Sequence, residues 1–297
     1  MTTEQRMLAL EHLTLLDVAP PEFVTLAAEA GFGAAGLRIA AAAPGERPWP
    51  MTPGSHMLAD TVRRCRDTGT VVLDVEALRI GPEGAPPGYE AVLETAAELG
   101  ARHLNVIGDD PDLSRLADHV RQLTPAALSY GVRPVIEFMA YKPVRSLADA
   151  VAIAERSAGG GILLDALHVQ RCGIDLAQLA GVNPGLLTYL QICDAPRRAP
   201  HGLPVPDRLP RGQPPDRGDG PLEARTRRLL PGEGELPLAE LLAAVPGDMP
   251  VAVEAPHLAL AGELGPRAFA ARARRALGAV LSAPAVPQKG GPPCRLG

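Results

Sequence analysis

The sequence lacks the features that mark a secreted or membrane-spanning protein. Its four cysteines, Cys65, Cys172, Cys193 and Cys294, form no CxxC pair and follow no even spacing, which indicates reduced thiols. The start, MTTEQRM, has neither the basic region nor the apolar region of a signal peptide. No apolar run approaches the roughly 20 residues that span a bilayer. We therefore predict a cytoplasmic protein that does not enter a membrane.

A basic excess is also missing, because the net charge is -5. Nucleic-acid-binding surfaces are usually basic, since they neutralise phosphates, so binding to nucleic acid is not expected. The 297 residues are 46% hydrophobic and 21% charged, which is enough to bury a full core in one large domain.

Eight apolar, strand-like runs alternate with segments of helical periodicity, most of which end in glycine. The predicted strands cover residues 12–17, 34–39, 70–78, 102–108, 133–138, 160–168, 187–194 and 249–256. This order predicts an α/β fold, a single-domain parallel (β/α)8 TIM barrel. An open doubly wound sheet is the alternative, but LLDVAPPEF after the first strand lacks the glycine-rich phosphate loop of that fold.

Two segments do not fit the repeat. Residues 195–235, after the seventh strand, are dense in Pro, Gly, Arg and Asp; a loop of this length at the carboxyl end of a barrel strand suggests a lid. Residues 282–297 (SAPAVPQKGGPPCRLG) are predicted to be a disordered tail. The barrel itself is therefore expected to occupy residues 1–281.

Four strands end on an oxygen-bearing side chain: VIEF at Glu137, ILLDALH at Asp165, YLQICD at Gln191 and VAVEAPH at Glu254. These are predicted strands five to eight, whose carboxyl ends share the rim that carries the active site of such barrels. Each residue alone could be a helix N-cap or half of an ion pair. Together, three carboxylates and an amide predict a site for a hard cation such as Mg²⁺ or Mn²⁺.

Other polar residues near the predicted mouth are candidates for binding a substrate. A turn beginning at Asp165 would bring His168 into the pocket. Arg38 and Glu76 close the second and third strands, where they could bind substrate or pair with each other. Asp194 could cap its loop or contact substrate, and Arg228 in the lid could close over it or be an ordinary solvated charge. The substrate-binding candidates are His168, Arg38, Glu76, Asp194, Arg228 and His257.

The runs VIEF, LLDALH, YLQICDAP, LLPGEGELPL and VAVEAPH together resemble the xylose isomerase-like TIM-barrel superfamily, specifically its sugar phosphate isomerase/epimerase group. The resemblance covers residues 10 to about 280 and implies one divalent cation, Mn²⁺ or Mg²⁺, with Co²⁺ or Zn²⁺ as alternatives. Its ligands would be Glu137, Asp165, Gln191 and Glu254. Members of this group generally have histidine where Gln191 stands. An amide oxygen in place of an imidazole nitrogen puts the affinity of the site for its cation in doubt and makes zinc a less favoured ion.

The resemblance also implies the chemistry. A cation that binds a ketone oxygen and a neighbouring hydroxyl stabilises an enediolate, and Glu137 and Glu254 are the expected carriers of the proton. The expected protein is a metal-dependent sugar isomerase or epimerase of carbohydrate metabolism, with a small polar substrate. A homo-oligomer is compatible with the resemblance.

Three other functions are alternatives to an isomerase or epimerase. The same enediolate next to a leaving group would make the protein a lyase or dehydratase, with His168 or His257 as the acid. A catalytically silent barrel could serve as a binding subunit. An apurinic endonuclease shares the barrel, but its histidine-rich zinc site and basic groove do not match a chain with seven histidines and a negative charge.

Overall fold

Eight parallel strands close into a barrel in the computed structural model, which describes residues 6–43, 45–214 and 218–283. Each strand pairs with the next, and β8 pairs with β1. The strands are β1 Leu8–Glu11, β2 Ala34–Arg38, β3 Val71–Ile80, β4 His103–Gly108, β5 Arg133–Glu137, β6 Gly161–Asp165, β7 Leu187–Ile192 and β8 Val251–Val253. The predicted (β/α)8 barrel is confirmed.

The helices surround the barrel. They are α1 Pro20–Ala30, α2 His56–Thr68, α3 Tyr89–Glu98, α4 Leu113–Ser129, α5 Leu147–Arg156, α6 Ala166–Arg171, α7 Asp219–Thr226, α8 Leu238–Ala243, α9 Leu258–Leu264 and α10 Pro266–Ser282. Polar side chains cap several of them: Ser55 accepts from Leu58 N and Ser146 from Asp149 N. The segment DLAQLAG, predicted as a helix, forms a 3-10 helix, Leu176–Gly181.

The first strand lies earlier than predicted. Residues 8–11 pair with β2, whereas His12–Leu15 form a 3-10 helix inside the range 12–17 assigned to a strand. The chain leaves the sheet at His12, whose Nε2 lies 2.8 Å from the Val18 carbonyl and whose Nδ1 accepts a hydrogen bond from Arg38 N. This imidazole stabilises the turn, so the apolar run after it packs above the strand end rather than within the sheet.

The barrel interior has an apolar layer below a polar one. The lower layer consists of Ala9, Ala34, Leu73, Val135, Leu163, Tyr189 and Ala252. Above it the polar ends of the strands face the mouth, and the larger apolar cluster fills the space between strands and helices. Because the lower layer closes the barrel, ligands reach the polar layer from the carboxyl ends of the strands.

Gly36 in β2 makes room for two carboxylates of the neighbouring strands. It pairs with Glu11 of β1 on one side and with Asp74 of β3 on the other. A Cβ at this position would overlap the Glu11 carboxylate and lie 2.5 Å from Asp74 Oδ1. Neither side chain can swing into solvent, because both are fully buried.

We therefore expect Gly36→Ala to lower the free energy of unfolding by about 1–3 kcal/mol, the usual cost of overpacking a core. The measurement is urea denaturation in the presence of a chelator. Gly33→Ala is the control, because a Cβ there would meet nothing within 4 Å. Equal stability of the two variants would contradict the close approach of the carboxylates to Gly36.

The segment predicted as a lid, residues 195–235, runs from the end of β7 across the rim. Its Arg211 guanidinium stacks on the Trp49 ring, 3.8 Å from the ring centroid, while the indole Nε1 donates to Leu16 O. Gln213 Nε2 donates to Glu46 Oε2 at 3.1 Å. These contacts join the segment to the loops after β1 and β2. Within the described part of the segment, α7 lies near its end.

Other sequence expectations fall partly outside the described residues. Of the predicted disordered tail, 284–297 lie outside them, and so does Cys294. The three cysteines that are described, Cys65, Cys172 and Cys193, are free. No helix in the described ranges is long and apolar enough to cross a bilayer.

Candidate active site

The four predicted ligands are all buried at the carboxyl ends of β5 to β8. Glu137 ends β5, Asp165 ends β6, Gln191 precedes the last residue of β7, and Glu254 directly follows β8. Asp165 and Gln191 are register partners, which places them at the same height in the barrel. The polar tips at the ends of these four strands therefore surround the same mouth.

His168 belongs to the same cluster. Glu137, Asp165 and His168 can each offer one ligand atom, and these atoms lie within 4.8 Å of one another. His168 Nε2 is 3.6 Å from Glu137 Oε1. The helix α6 begins immediately after Asp165, whose Oδ1 accepts from His168 N at 2.9 Å. This capped turn brings the imidazole back towards the mouth, as one reading of the sequence predicted.

Gln191 presents an unused oxygen. Its Nε2 donates to Glu76 Oε1 at 3.4 Å, but its Oε1 is buried without a hydrogen-bond partner. His168 Nδ1 is also buried without one. Buried polar atoms without partners are uncommon, and an oxygen and a nitrogen of this kind beside two carboxylates can take part in holding a cation.

Arg228 reaches the centre of this group. Its Nη1 lies 2.5 Å from Asp165 Oδ2, and its Nη2 lies 3.0 Å from Glu254 Oε2. The side chain is fully buried. The backbone around it is fixed, because Leu229 exchanges hydrogen bonds with Asp194 and Arg228 N donates to Pro256 O. The guanidinium thus bridges two of the predicted cation ligands.

The buried carboxyls of the mouth fall into two groups, those with a lowered pKa and those with a raised pKa. Burial raises the pKa of Asp165, but the Arg228 charge together with the hydrogen bonds from His168 and Arg228 outweighs it, and the pKa is lowered. Glu76 behaves in the same way beside Arg38. Burial and the charge of Asp165 raise the pKa of Glu137 to about 8, and burial raises that of Glu254 well above its ordinary value. The ionised form is therefore favoured for Asp165 and Glu76, while Glu137 and Glu254 bind a proton more tightly than exposed carboxyls do.

His168 is uncharged at neutral pH, because burial lowers its pKa to about 4. A neutral imidazole can bind a metal or exchange hydrogen bonds with a hydroxyl. It cannot supply the imidazolium proton that an acid catalyst would give to a leaving group near pH 7.

The other substrate-binding candidates divide between the mouth and its surroundings. Arg38 pairs with Glu76 at 2.8 Å and with Glu46 at 3.3 Å, and its side chain lines the mouth cavity. Asp194 lies outside the cavity lining; its carboxylate accepts from Ala195 N, Gly232 N and Leu236 N, so it holds the loop together. His257 Nδ1 accepts from Leu260 N at the start of α9.

Three polar residues of the interior were missed in the sequence. Asn105 in β4 donates to Glu137 Oε2 at 3.0 Å. Glu11 and Asp74 are fully buried in β1 and β3. Each of the three interrupts an apolar run: Asn105 lies in HLNVIG, Glu11 in LALEHL and Asp74 in VVLDVEAL. Polar residues inside a predicted strand, as well as those at its end, should have been treated as candidates for the interior.

The donor set fits a divalent cation. The carboxylates of Glu137 and Asp165 and the His168 imidazole are the group whose ligand atoms lie within 4.8 Å of one another. This mixture of oxygen with one nitrogen suits Mg²⁺, Mn²⁺, Co²⁺ and Zn²⁺ in different degrees. The Arg228 guanidinium supplies positive charge between Asp165 and Glu254.

The fold and site define a class: a closed (β/α)8 barrel whose strand ends carry a buried acidic centre able to hold a metal. Residues 24–276 match the xylose isomerase-like TIM barrel family. The chain belongs to this family, as its sequence motifs predicted. No curated protein matches the sequence significantly.

Solved structures share the fold at low identity. The IOLI protein with a binding zinc atom is 17% identical, with a TM-score of 0.72 and coverage of 93% of this chain and 98% of that protein. D-psicose 3-epimerase, solved in the presence of D-fructose, is 13% identical, with a TM-score of 0.66 and coverage of 92% and 97%. A xylose isomerase-like TIM barrel/4-hydroxyphenylpyruvate dioxygenase fusion protein is 20% identical (TM-score 0.71); the match covers 93% of this chain but 42% of the fusion.

Proposed function

We propose that this protein is a divalent-cation-dependent isomerase or epimerase that acts on a sugar, a sugar phosphate or a similar hydroxy-ketone. The observation that carries the proposal is the pair Glu137 and Glu254, two buried carboxyls that line one cavity. Both have a raised pKa. A pKa of about 8 lets Glu137 exchange its proton near neutral pH, which suits general acid–base catalysis.

Each residue of the site has a role in this proposal. Glu137, Asp165, Gln191 and Glu254 would hold the cation, with His168 beside them. When bound, a divalent cation polarises a carbonyl oxygen and makes the adjacent C–H more acidic. Glu137 and Glu254, from strands on different sides of the mouth, would remove and return the proton. Return to the opposite face gives epimerisation, and return to the neighbouring carbon gives isomerisation.

The rest of the cavity would orient the substrate. Neutral His168 can exchange hydrogen bonds with sugar hydroxyls, and Arg38 and Arg228 offer donors for hydroxyl, carboxylate or phosphate oxygens. Ala77, Ile107 and Met139 form an apolar wall. This wall reduces the access of water to the proton-transfer groups. Mn²⁺ or Mg²⁺ is the proposed ion; His168 and the zinc in the IOLI protein structure keep Zn²⁺ and Co²⁺ as alternatives.

The test is exchange with solvent deuterium. Mn²⁺-loaded protein is incubated in D2O with ketohexoses and their phosphates, and products are analysed by NMR. Deuterium at a carbon next to the carbonyl, without loss of a substituent, is expected. Protein dialysed against a chelator is the control. A product with new unsaturation would assign a lyase instead, and absence of exchange with every sugar would contradict the proposal.

One observation favours a second candidate, a catalytically silent barrel. Arg228 already places one positive charge between Asp165 and Glu254, so part of their negative charge is balanced without an ion. Metal analysis of protein purified without chelator separates the candidates. Less than about 0.1 equivalent of divalent ion, together with no thermal stabilisation by Mn²⁺, would assign the silent barrel.

A further inference from the structure

A second acidic group lies deeper in the barrel than the mouth site. Glu11 of β1 and Asp74 of β3 flank Gly36 of β2 in the sheet register. Their carboxylates occupy the space that a side chain at Gly36 would fill. Because the strand between them contributes no side chain, two acidic groups from next-but-one strands approach each other inside a closed barrel.

Among the described residues, the carboxylates of this pair have no cationic partner beside them. Both side chains are fully buried, none of their four oxygen atoms accepts a well-formed hydrogen bond, and their polar interactions are with each other and with Tyr189. A buried charge without a partner costs several kcal/mol. Native proteins avoid this cost by sharing a proton or by binding an ion.

An independent observation comes from β7. The Tyr189 hydroxyl is fully buried and makes no well-formed hydrogen bond, and the carboxylate with which it interacts is that of Asp74. Burial first, and then the charges of Asp74 and Glu11, raise the pKa of Tyr189 well above its ordinary value. Because Tyr189 interacts with the Asp74 side chain, the phenol faces the acidic pair and adds a third buried oxygen to the same space.

Glu76 connects this space with the mouth. One oxygen from each of Glu11, Asp74 and Glu76 lies within 4.8 Å of the others. Oxygens bound to one Mg²⁺ at about 2.1 Å are at most about twice that distance apart, so a small contraction would bring them around an ion. Glu76 also lines the mouth cavity, which provides a path for entry.

We propose that Glu11, Asp74 and Glu76 form a second cation site below the mouth, for a hard divalent ion such as Mg²⁺ or Mn²⁺, with the Tyr189 hydroxyl as a neutral oxygen beside it. All the donor atoms are oxygens, which these ions prefer. The site is separate from the Glu137, Asp165 and His168 cluster, and it does not depend on the proposed isomerase activity.

The test is the number of Mn²⁺ ions bound, measured by equilibrium dialysis and elemental analysis at neutral pH. The double variant Glu11→Gln/Asp74→Asn removes both charges while keeping the side-chain shapes, and circular dichroism checks its fold. We expect the wild type to bind one more Mn²⁺ than this variant. Equal numbers would overturn the proposal and leave a proton shared by the two carboxyls.

Two further variants distinguish loss of the second site from loss of the mouth site and from misfolding. Tyr189→Phe removes only the hydroxyl and is expected to weaken the affinity for one Mn²⁺ by about tenfold; an unchanged affinity for every bound ion would count against the site, even if the double variant does not fold. Glu137→Gln affects the mouth site alone. If one Mn²⁺ is lost in Glu137→Gln and none is lost in the double variant, the mouth site of the proposed function is supported and the second site is overturned. If one Mn²⁺ is lost in the double variant and none is lost in Glu137→Gln, the second site is supported and the mouth site is contradicted.

Discussion

Replacement of Glu254 by glutamine is expected to lower the rate of proton exchange by about 10²–10⁴-fold, the usual contribution of a positioned acid–base group. The amide keeps the size of the side chain and can still accept from Arg228 Nη2, which lies 3.0 Å from Glu254 Oε2. It cannot remove a proton from carbon. The measurement is the initial rate of deuterium uptake by the substrate found in the D2O screen.

The control for Glu254→Gln is Glu263→Gln, the same substitution at an exposed position in α9, which should leave the rate unchanged. Circular dichroism and Mn²⁺ content show whether the barrel and its ion are retained. A folded, Mn²⁺-loaded Glu254→Gln protein that exchanges protons at the wild-type rate would remove Glu254 from the proposed pair.

Loss of the Arg228 guanidinium is expected to have the largest effect on stability. Its ion pairs with Asp165 and Glu254 are buried, and removal of one partner from a buried pair costs about 3–5 kcal/mol. We therefore expect Arg228→Met to lower the free energy of unfolding by about this amount in a chelating buffer. Mn²⁺ should then stabilise the variant more than the wild type, because Asp165 and Glu254 no longer have a competing cation.

Urea denaturation with chelator and with Mn²⁺ measures both parts of this prediction. Arg227→Met is the matched control, since its side chain is exposed in the same segment. If Mn²⁺ stabilises Arg228→Met and the wild type equally, the guanidinium does not compete with the ion, and its contribution is packing and internal hydrogen bonding alone.

Much of the fold was readable from the sequence because most strand bodies are largely apolar and several helices are followed by a glycine. The residues at the ends of β5 to β8 were identified correctly as a group, since one strand-ending polar residue recurs in each run. Their roles as ligands and proton carriers stay predictions. The first strand was placed too late because Glu11 interrupts the apolar run, and buried carboxylates inside a strand violate the usual pattern.

The contacts that give the site its charge balance could not be predicted in the same way. Arg228 lies 63 residues after Asp165, in a segment whose several arginines look alike as sequence. The pairing of Leu229 with Asp194 and the hydrogen bond from Arg228 N to Pro256 O place this arginine in the interior. Glu11 and Asp74 are likewise 63 residues apart, and their approach depends on barrel closure and on the missing side chain of Gly36.

The stacking of Arg211 on Trp49 also makes the rim observable by spectroscopy. Trp49 is the only tryptophan in the chain, so selectively excited indole emission arises from one place, where the segment after β7 meets the loop after β2. A guanidinium 3.8 Å from the ring centroid changes the surroundings of the fluorophore. The intrinsic emission therefore records the attachment of this segment to the rim without a label, in the same samples used for cation titrations.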